Sequence, residues 1–218
     1  MKNVYVLFVL IALFISSLST KAQEWNTGLD IYSSYVWRGA KIGSGPAFQP
    51  YVDFSFGGFV LGANGSACAS DNEAFEANLY TSYGFDFGLS ISLTDYYFGS
   101  TDKTGNFIVG DYFDRSVHYF EPAICFKKGG LLLTAAYMIG DDTSDTYVEA
   151  EYSFGLAKVF VGAGNGQYTK DGGFMVCNVG LGVSKDIVIT DKFSIPISGS
   201  VMLNPSTEGL FVVVGVSF

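Results

Sequence analysis

Six carboxylates recur along this chain in otherwise uncharged surroundings: Asp30, Asp53, Glu76, Glu121, Glu149 and Glu151. Each sits in a stretch where apolar and polar residues alternate, and each falls on the polar side. Arg38 shares that side, and parity allows Lys158 there too. Carboxylates gathered on one face of an enclosing wall could favour cations, as rings of Asp and Glu do. They could equally pair with one another and plug a narrow space. The residues alone leave both readings open.

The other chemical candidates are weaker. Ser116 stands two residues before His118, the only histidine, and the pair invites a lipid-hydrolase reading. Such chemistry needs a third residue to orient the imidazole. The face carrying both continues through Phe120, Ile124 and Phe126, so His118 is expected to face lipid. The run Gly162-Ala163-Gly164-Asn165-Gly166 mimics a phosphate loop, but that motif needs a following helix. Here another strand follows, and close packing is the expected cause. Asp141-Asp142-Thr143-Ser144-Asp145 carries oxygen ligands for a hard cation, but lacks the spaced ligands and closing glutamate of a dedicated loop. A solvated acidic loop is expected. Asn64-Gly65-Ser66 is a sequon set inside a strand. The odd count of cysteines (Cys68, Cys125, Cys177), on separate expected strands, predicts no disulfide. No metal site and no cofactor are expected.

The elements that must position these groups are strands. The period is two almost throughout, with no long stretch of 3.6-residue apolar spacing. Residues 25–38 alternate, with Trp25, Leu29, Ile31, Tyr35 and Trp37 against Asn26, Asp30, Tyr32 and Arg38. Residues 47–56, 59–69 and 74–85 follow, and then segments near 87–98, 116–126, 131–139, 146–154, 158–168, 174–184, 193–203 and 209–218. That makes twelve strands, most near the ~9–11 residues a tilted strand needs to cross a bilayer. Aromatics near strand ends, among them Phe48, Phe56, Phe59, Tyr83, Phe98, Tyr137, Tyr147, Phe154, Phe174 and Trp37, suit interfacial girdles.

The connections alternate as well. Gly57-Gly58, Asp86-Phe87, Lys127 to Gly130 and Gly155 to Ala157 are short, with 185–192 longer. The other set, 39–47, 70–73, 99–115, 140–145, 169–173 and 204–208, is longer and acidic. Asp102, Asp111, Asp114, Asp141, Asp142 and Asp145 fall on the long-loop side. Lys127, Lys128, Lys158, Lys185 and Lys192 fall on the short-turn side. Bacterial barrels have short periplasmic turns and longer external loops. Both termini are therefore expected in the periplasm.

Residues 1–22 read as a cleaved signal peptide: Lys2, an apolar run from Val4 to Leu18, then Thr20-Lys21-Ala22 before a cut at Gln23. Residues 23–218 form the one domain. The formal net charge is −9, and loss of the leader makes the chain more acidic still. That argues against a nucleic-acid partner. The chain is 49% hydrophobic and 15% charged, yet nothing after the leader approaches a spanning helix. A closed barrel is then the way for such a chain to live in a bilayer. The last strand sets Leu210, Val212, Val214, Val216 and Phe218 on one face and ends on the aromatic, which resembles the assembly signal of outer-membrane barrels.

At 34–49 the chain reads Ser34-Tyr35-Val36-Trp37-Arg38-Gly39, then Gly45-Pro46-Ala47-Phe48-Gln49. This resembles the opening hairpin of the TorF-type porin family. Ser34, Tyr35, Trp37, Arg38, Gly39, Pro46 and Gln49 carry the likeness, which covers one hairpin closely and the rest in pattern. It implies an outer-membrane barrel and no settled substrate. By its position in the alternation Arg38 is expected at the outer rim of strand one, with Gly39 starting the loop.

The fold expected is all-β: an antiparallel up-and-down transmembrane barrel of twelve strands. The function expected is a small, weakly cation-preferring pore for ions or small polar solutes in a Gram-negative outer membrane. Its partners would be outer-membrane lipid and the barrel-assembly machinery. The alternatives are a closed structural or surface-interaction barrel acting through its external loops, and an outer-membrane lipid hydrolase.

Overall fold

The structure is a computed structural model. It describes residues 23–218 except 44, 70, 102–106, 109–111 and 192, with the side chains of 71–74, 100, 101, 107 and 108 also left undescribed. The leader with Lys2 and Lys21, and Asp102, Asp111 and Lys192, lie outside the described residues.

In chain order the strands are β1 (Gln23–Tyr32), β2 (Tyr35–Trp37), β3 (Ala40–Gly43), β4 (Ala47–Phe56), β5 (Phe59–Cys68), β6 (Asp71–Gly84), β7 (Leu89–Thr101) and β8 (Phe107–Ile108). They continue as β9 (His118–Lys128), β10 (Leu131–Ile139), β11 (Ser144–Phe154), β12 (Ala157–Gly166), β13 (Gly172–Thr190), β14 (Phe193–Asn204) and β15 (Gly209–Ser217). All but β2, β3 and β8 pair antiparallel with a neighbour on each side and close into one twelve-stranded barrel. The seam joins β1 to β15 through Asp30↔Ser217, Ile31↔Val216 and Tyr32↔Gly215. Phe218 extends it, its backbone N–H and C=O both bonded to Leu29 at 3.0 Å. Closure gives each of the twelve wall strands a partner on both sides, the condition for stable strands in a membrane.

Alternation decides which side chains meet solvent and which fill the interior. Leu61, Leu79, Ile91, Leu93, Ile124, Leu133, Val161, Leu181, Val201, Leu210 and Val212 stand exposed around the outside. The buried set is polar in large part: Ser66, Glu76, Asn78, Glu121, Asn178 and Asn204. A soluble core would have the reverse distribution. Cys68, Cys125 and Cys177 stand on β5, β9 and β13 and form no disulfide.

Three local expectations change. Strand one was expected to run to residue 38 but ends at Tyr32. Ser33 makes the last seam bonds, its N–H to the Val214 carbonyl at 2.8 Å and its Oγ accepting from the Val214 N–H at 3.0 Å. The chain then turns inward as β2 and β3, which pair only with each other. The alternation read through residue 37 was real, because β2 is itself extended; it belongs to a different element. The second change concerns 185–192, expected as a loop. Lys185↔Ile197 and Ile187↔Ile195 continue the β13–β14 ladder, while the β12 partner stops at Ala157↔Val183. The two strands therefore overhang the short-turn rim as a ribbon. Third, Trp37, Phe98 and Tyr147 were expected in the outer girdles. Trp37 leaves with the hairpin, and Phe98 and Tyr147 share inward parity with Tyr96 and Glu149.

Candidate functional site: an inward hairpin across the lumen

The β2–β3 hairpin turns on two residues, Arg38 at φ 52° and Gly39 at φ 80°. Left-handed backbone at both central positions is what a two-residue hairpin turn demands. Arginine pays for that conformation with its side chain. Its Nη1 and Nη2 donate to the two carboxylate oxygens of Glu121 on β9, at 2.6 and 2.9 Å. Nη1 also donates to the Tyr168 hydroxyl at 2.8 Å. The guanidinium lies 4.4 Å from the Trp37 ring centroid and 4.5 Å from that of Tyr147. Bidentate, charge-assisted pairing with stacking on aromatic faces suits arginine far better than lysine. Burial pushes the Tyr168 hydroxyl up to about 12 against the pull of Arg38, so it stays protonated.

Gly39 sits against the opposite wall. A Cβ there would lie 2.0 Å from the Cys177 carbonyl oxygen of β13. Its carbonyl accepts from Asn204 Nδ2 at 3.1 Å, and the same amide donates to the Tyr168 carbonyl at 3.1 Å. Tyr147, Tyr168, Cys177 and Asn204 are at most 2% exposed, so the lumen is filled where the hairpin tip meets this wall. The hairpin's other side reaches β6, where the Tyr35 hydroxyl donates to Glu76 at 3.0 Å. Ser34 Oγ donates to the Gly43 carbonyl at 3.4 Å and closes the hairpin base. The Pro46 carbonyl accepts from the Ala69 N–H at 2.8 Å as the chain returns to the wall. Gln49 then donates to Ser66 at 3.2 Å. The expected outer-rim position of Arg38 is thus corrected: it is at the tip of an inward hairpin, held by a charge on the far wall.

The other sequence-predicted carboxylates find separate partners. Glu76 accepts from Asn78 Nδ2 at 2.5 Å besides Tyr35. Glu149 accepts from the Tyr147 hydroxyl and from Asn178 Nδ2. Glu151 pairs with Lys158 at 2.8 Å and Asp53 accepts from Asn26 at 3.2 Å. Asp30 lines a cavity of about 790 Å³ below the hairpin, reaching the β11–β12 turn at Gly155 and Leu156. Tyr147, Tyr168, Cys177, Asn178 and Asn204 were not among the expected site residues. Parity with Glu149 already put Tyr147 inside; nothing local marks Tyr168 or Asn204.

His118 has outward parity but is buried, not bare to lipid, because the segment at 112–117 folds down over it. Its Nδ1 lies 2.8 Å from Asp95 Oδ1 and its Nε2 2.5 Å from the Tyr112 carbonyl. Ser116 Oγ donates instead to Asp114 at 2.8 Å. Serine and imidazole are not brought together. In the glycine run, a Cβ on Gly162 would meet the Tyr147 hydroxyl at 2.2 Å and one on Gly164 the Tyr168 ring at 2.7 Å, which is close packing. In the acidic run, Asp145 turns away to accept from the Gln167 N–H at 3.4 Å. Among the described residues no His, Cys, Asp and Glu side chains gather into a metal-binding cluster.

No protein-family model matches the chain. No curated protein matches it either. Among solved structures it is similar to porin mutants. A triple mutant of the Rhodopseudomonas blastica porin aligns at 12% identity and a TM-score of 0.41, over 90% of this chain and 99% of that one. A second mutant of that porin gives 14% and 0.42 over the same shares. A structure described as "Asymmetric conductivity of engineered proteins" gives 13% and 0.41. Likenesses this weak add nothing to the strand pairing above, on which the barrel rests.

Proposed function

We propose that the chain is an outer-membrane barrel of porin type, held shut at rest by its inward hairpin and passing small ions or polar solutes when the hairpin yields. The carrying observation is the Arg38–Glu121 pair, which ties the hairpin tip to the far wall. The exposed apolar band and polar interior support residence in a bilayer. On this reading residues 1–22 are a cleaved leader, the termini and short turns are periplasmic, and assembly machinery recognises the last strand. The residues that resemble the TorF-type porins, Ser34 to Gly39 with Pro46 and Gln49, are those that build or anchor the hairpin, which supports that kinship.

Pairing of Glu121 and Glu151 with bases leaves Asp30, Asp53, Glu76 and Glu149 as the inward carboxylates without a basic partner among the described residues. The conducting state would therefore prefer cations, because a low-dielectric wall focuses their field. The test is conductance in a planar bilayer. Wild type should show rare openings, and Arg38→Ala or Glu121→Gln frequent ones with a cation-selective reversal potential. Asp53→Asn with Glu76→Gln should weaken that selectivity. A wide, steadily open wild-type pore would sink the closed resting state. Silence in wild type and every hairpin variant would favour a structural barrel acting through its outer loops.

A further inference from the structure

We infer that the cavity beneath the hairpin is a binding vestibule for a neutral, polyhydroxylated solute of mono- to disaccharide size, entered from the short-turn rim. The inference rests on the reading of the hairpin as closed across the lumen at rest, and adds a ligand to that resting state.

Size comes first. The cavity holds about 790 Å³, inside the ~300–1,000 Å³ range of small-molecule sites. Its mouth lies at Gly155 and Leu156, and its floor is Tyr35 and Trp37 of the hairpin. A solute entering from the rim therefore meets a dead end built of aromatic and hydroxyl groups.

Charge comes second. Lys158 reaches the cavity but is matched by Glu151 at 2.8 Å. Glu76 is already engaged by Tyr35 and Asn78. Asp30, the other lining carboxylate, is engaged by the Tyr32 hydroxyl. An anion finds no unmatched base here, and a zwitterion finds no complementary pair.

The remaining lining decides the class. Ser184, Ser198 and Ser200 present hydroxyls along one wall, and Gln49, Asn64 and Asn78 present amides along the other. Hydroxyls and amides both donate and accept, as sugar hydroxyls do. Tyr51 and Tyr80 add ring faces, against which the C–H face of a pyranose can bury apolar surface while its hydroxyls reach the amides. One acceptor is left over. Asn78 is 5% exposed, and its Nδ2 donates to Asn64 Oδ1 at 2.7 Å and to Glu76, while its Oδ1 has no partner. A buried carbonyl oxygen without a donor is costly, and a ligand hydroxyl would satisfy it.

The chain has two tryptophans, and Trp37 forms part of the cavity floor. The Trp25→Phe barrel, refolded in detergent and shown folded by its gel mobility before heating, therefore reports from Trp37 alone. Titration with glucose, sucrose and maltose should give a saturable emission change for at least one sugar, with the same midpoint by calorimetry on wild type. Asn78→Leu and, separately, Ser200→Val should each weaken that midpoint by about tenfold, the loss of one hydrogen bond. Arginine, glutamate and potassium chloride should give no saturable change. The inference is overturned if the folded protein answers none of the three sugars, or if a charged solute saturates it in preference. Failure of the barrel reading would appear separately, as absence of the heat-sensitive folded band.

Discussion

Arg38 and Glu121 stand 83 residues apart and meet inside the barrel as a two-pronged ion pair, at 2.6 and 2.9 Å. The pair joins a hairpin that belongs to no wall to a strand that does. It is nearly enclosed, at 13% and 4% side-chain exposure. Leaving one partner of a buried pair alone typically costs ~3–5 kcal/mol. Glu121→Gln should therefore lower barrel stability measurably in urea, followed by tryptophan emission. The double variant Arg38→Leu with Glu121→Leu should lose less than the two single losses combined, since no orphan charge remains. Additive losses would show that the residues do not act as a pair.

Gly39 tests the hairpin without touching a charge. Gly39→Ala puts a methyl group 2.0 Å from the Cys177 carbonyl, on a backbone at φ 80°. The hairpin must withdraw from β13, so channel openings should become more frequent than in wild type. Gly57→Ala is the control: its φ is 61° but nothing lies within 4 Å. It should cost only the left-handed strain of about 1 kcal/mol, with conductance unchanged. Equal behaviour of the two variants in the bilayer would argue against a wedged hairpin.

His118 predicts an effect on the outer loop, not on catalysis. Its ring bridges Asp95 and the Tyr112 carbonyl, so it fastens the segment at 112–117 to the barrel wall. His118→Ala should speed limited proteolysis in that segment and leave the folded gel band intact. Any lipid hydrolysis by the purified protein should be unchanged. Loss of such an activity in the variant would restore the enzyme reading.

Phe218 closes the seam through its backbone. Deleting it removes both hydrogen bonds to Leu29 and the terminal aromatic together. The truncated chain should reach the outer-membrane fraction more slowly and in smaller amount. Phe218→Ala, which keeps the backbone bonds, separates side-chain recognition from seam closure; normal assembly of both variants would remove Phe218 from any assembly role.

The twelve wall strands and the inward placement of Glu76, Glu121 and Glu149 were legible because strand parity is a local property: neighbours two apart share a face whatever the rest of the chain does. The C-terminal pattern from Leu210 to Phe218 was legible for the same reason. Parity carries no information about height along the barrel or about what lies across it. Whether the alternation through Trp37 belonged to β1 or to a separate hairpin depended on where the β15 ladder stopped, at Ser33 and Val214. That Arg38 faces Glu121, and Gly39 the Cys177 carbonyl, depended on barrel circumference and strand stagger, which bring together residues 83 and more positions apart. The same stagger left Lys185 to Thr190 beyond the end of β12 and made a ribbon of a segment whose composition reads as a loop. In and out were written residue by residue; the partners that close the lumen arise only when all twelve strands are in register, because each is set by the sum of the pairings around the wall.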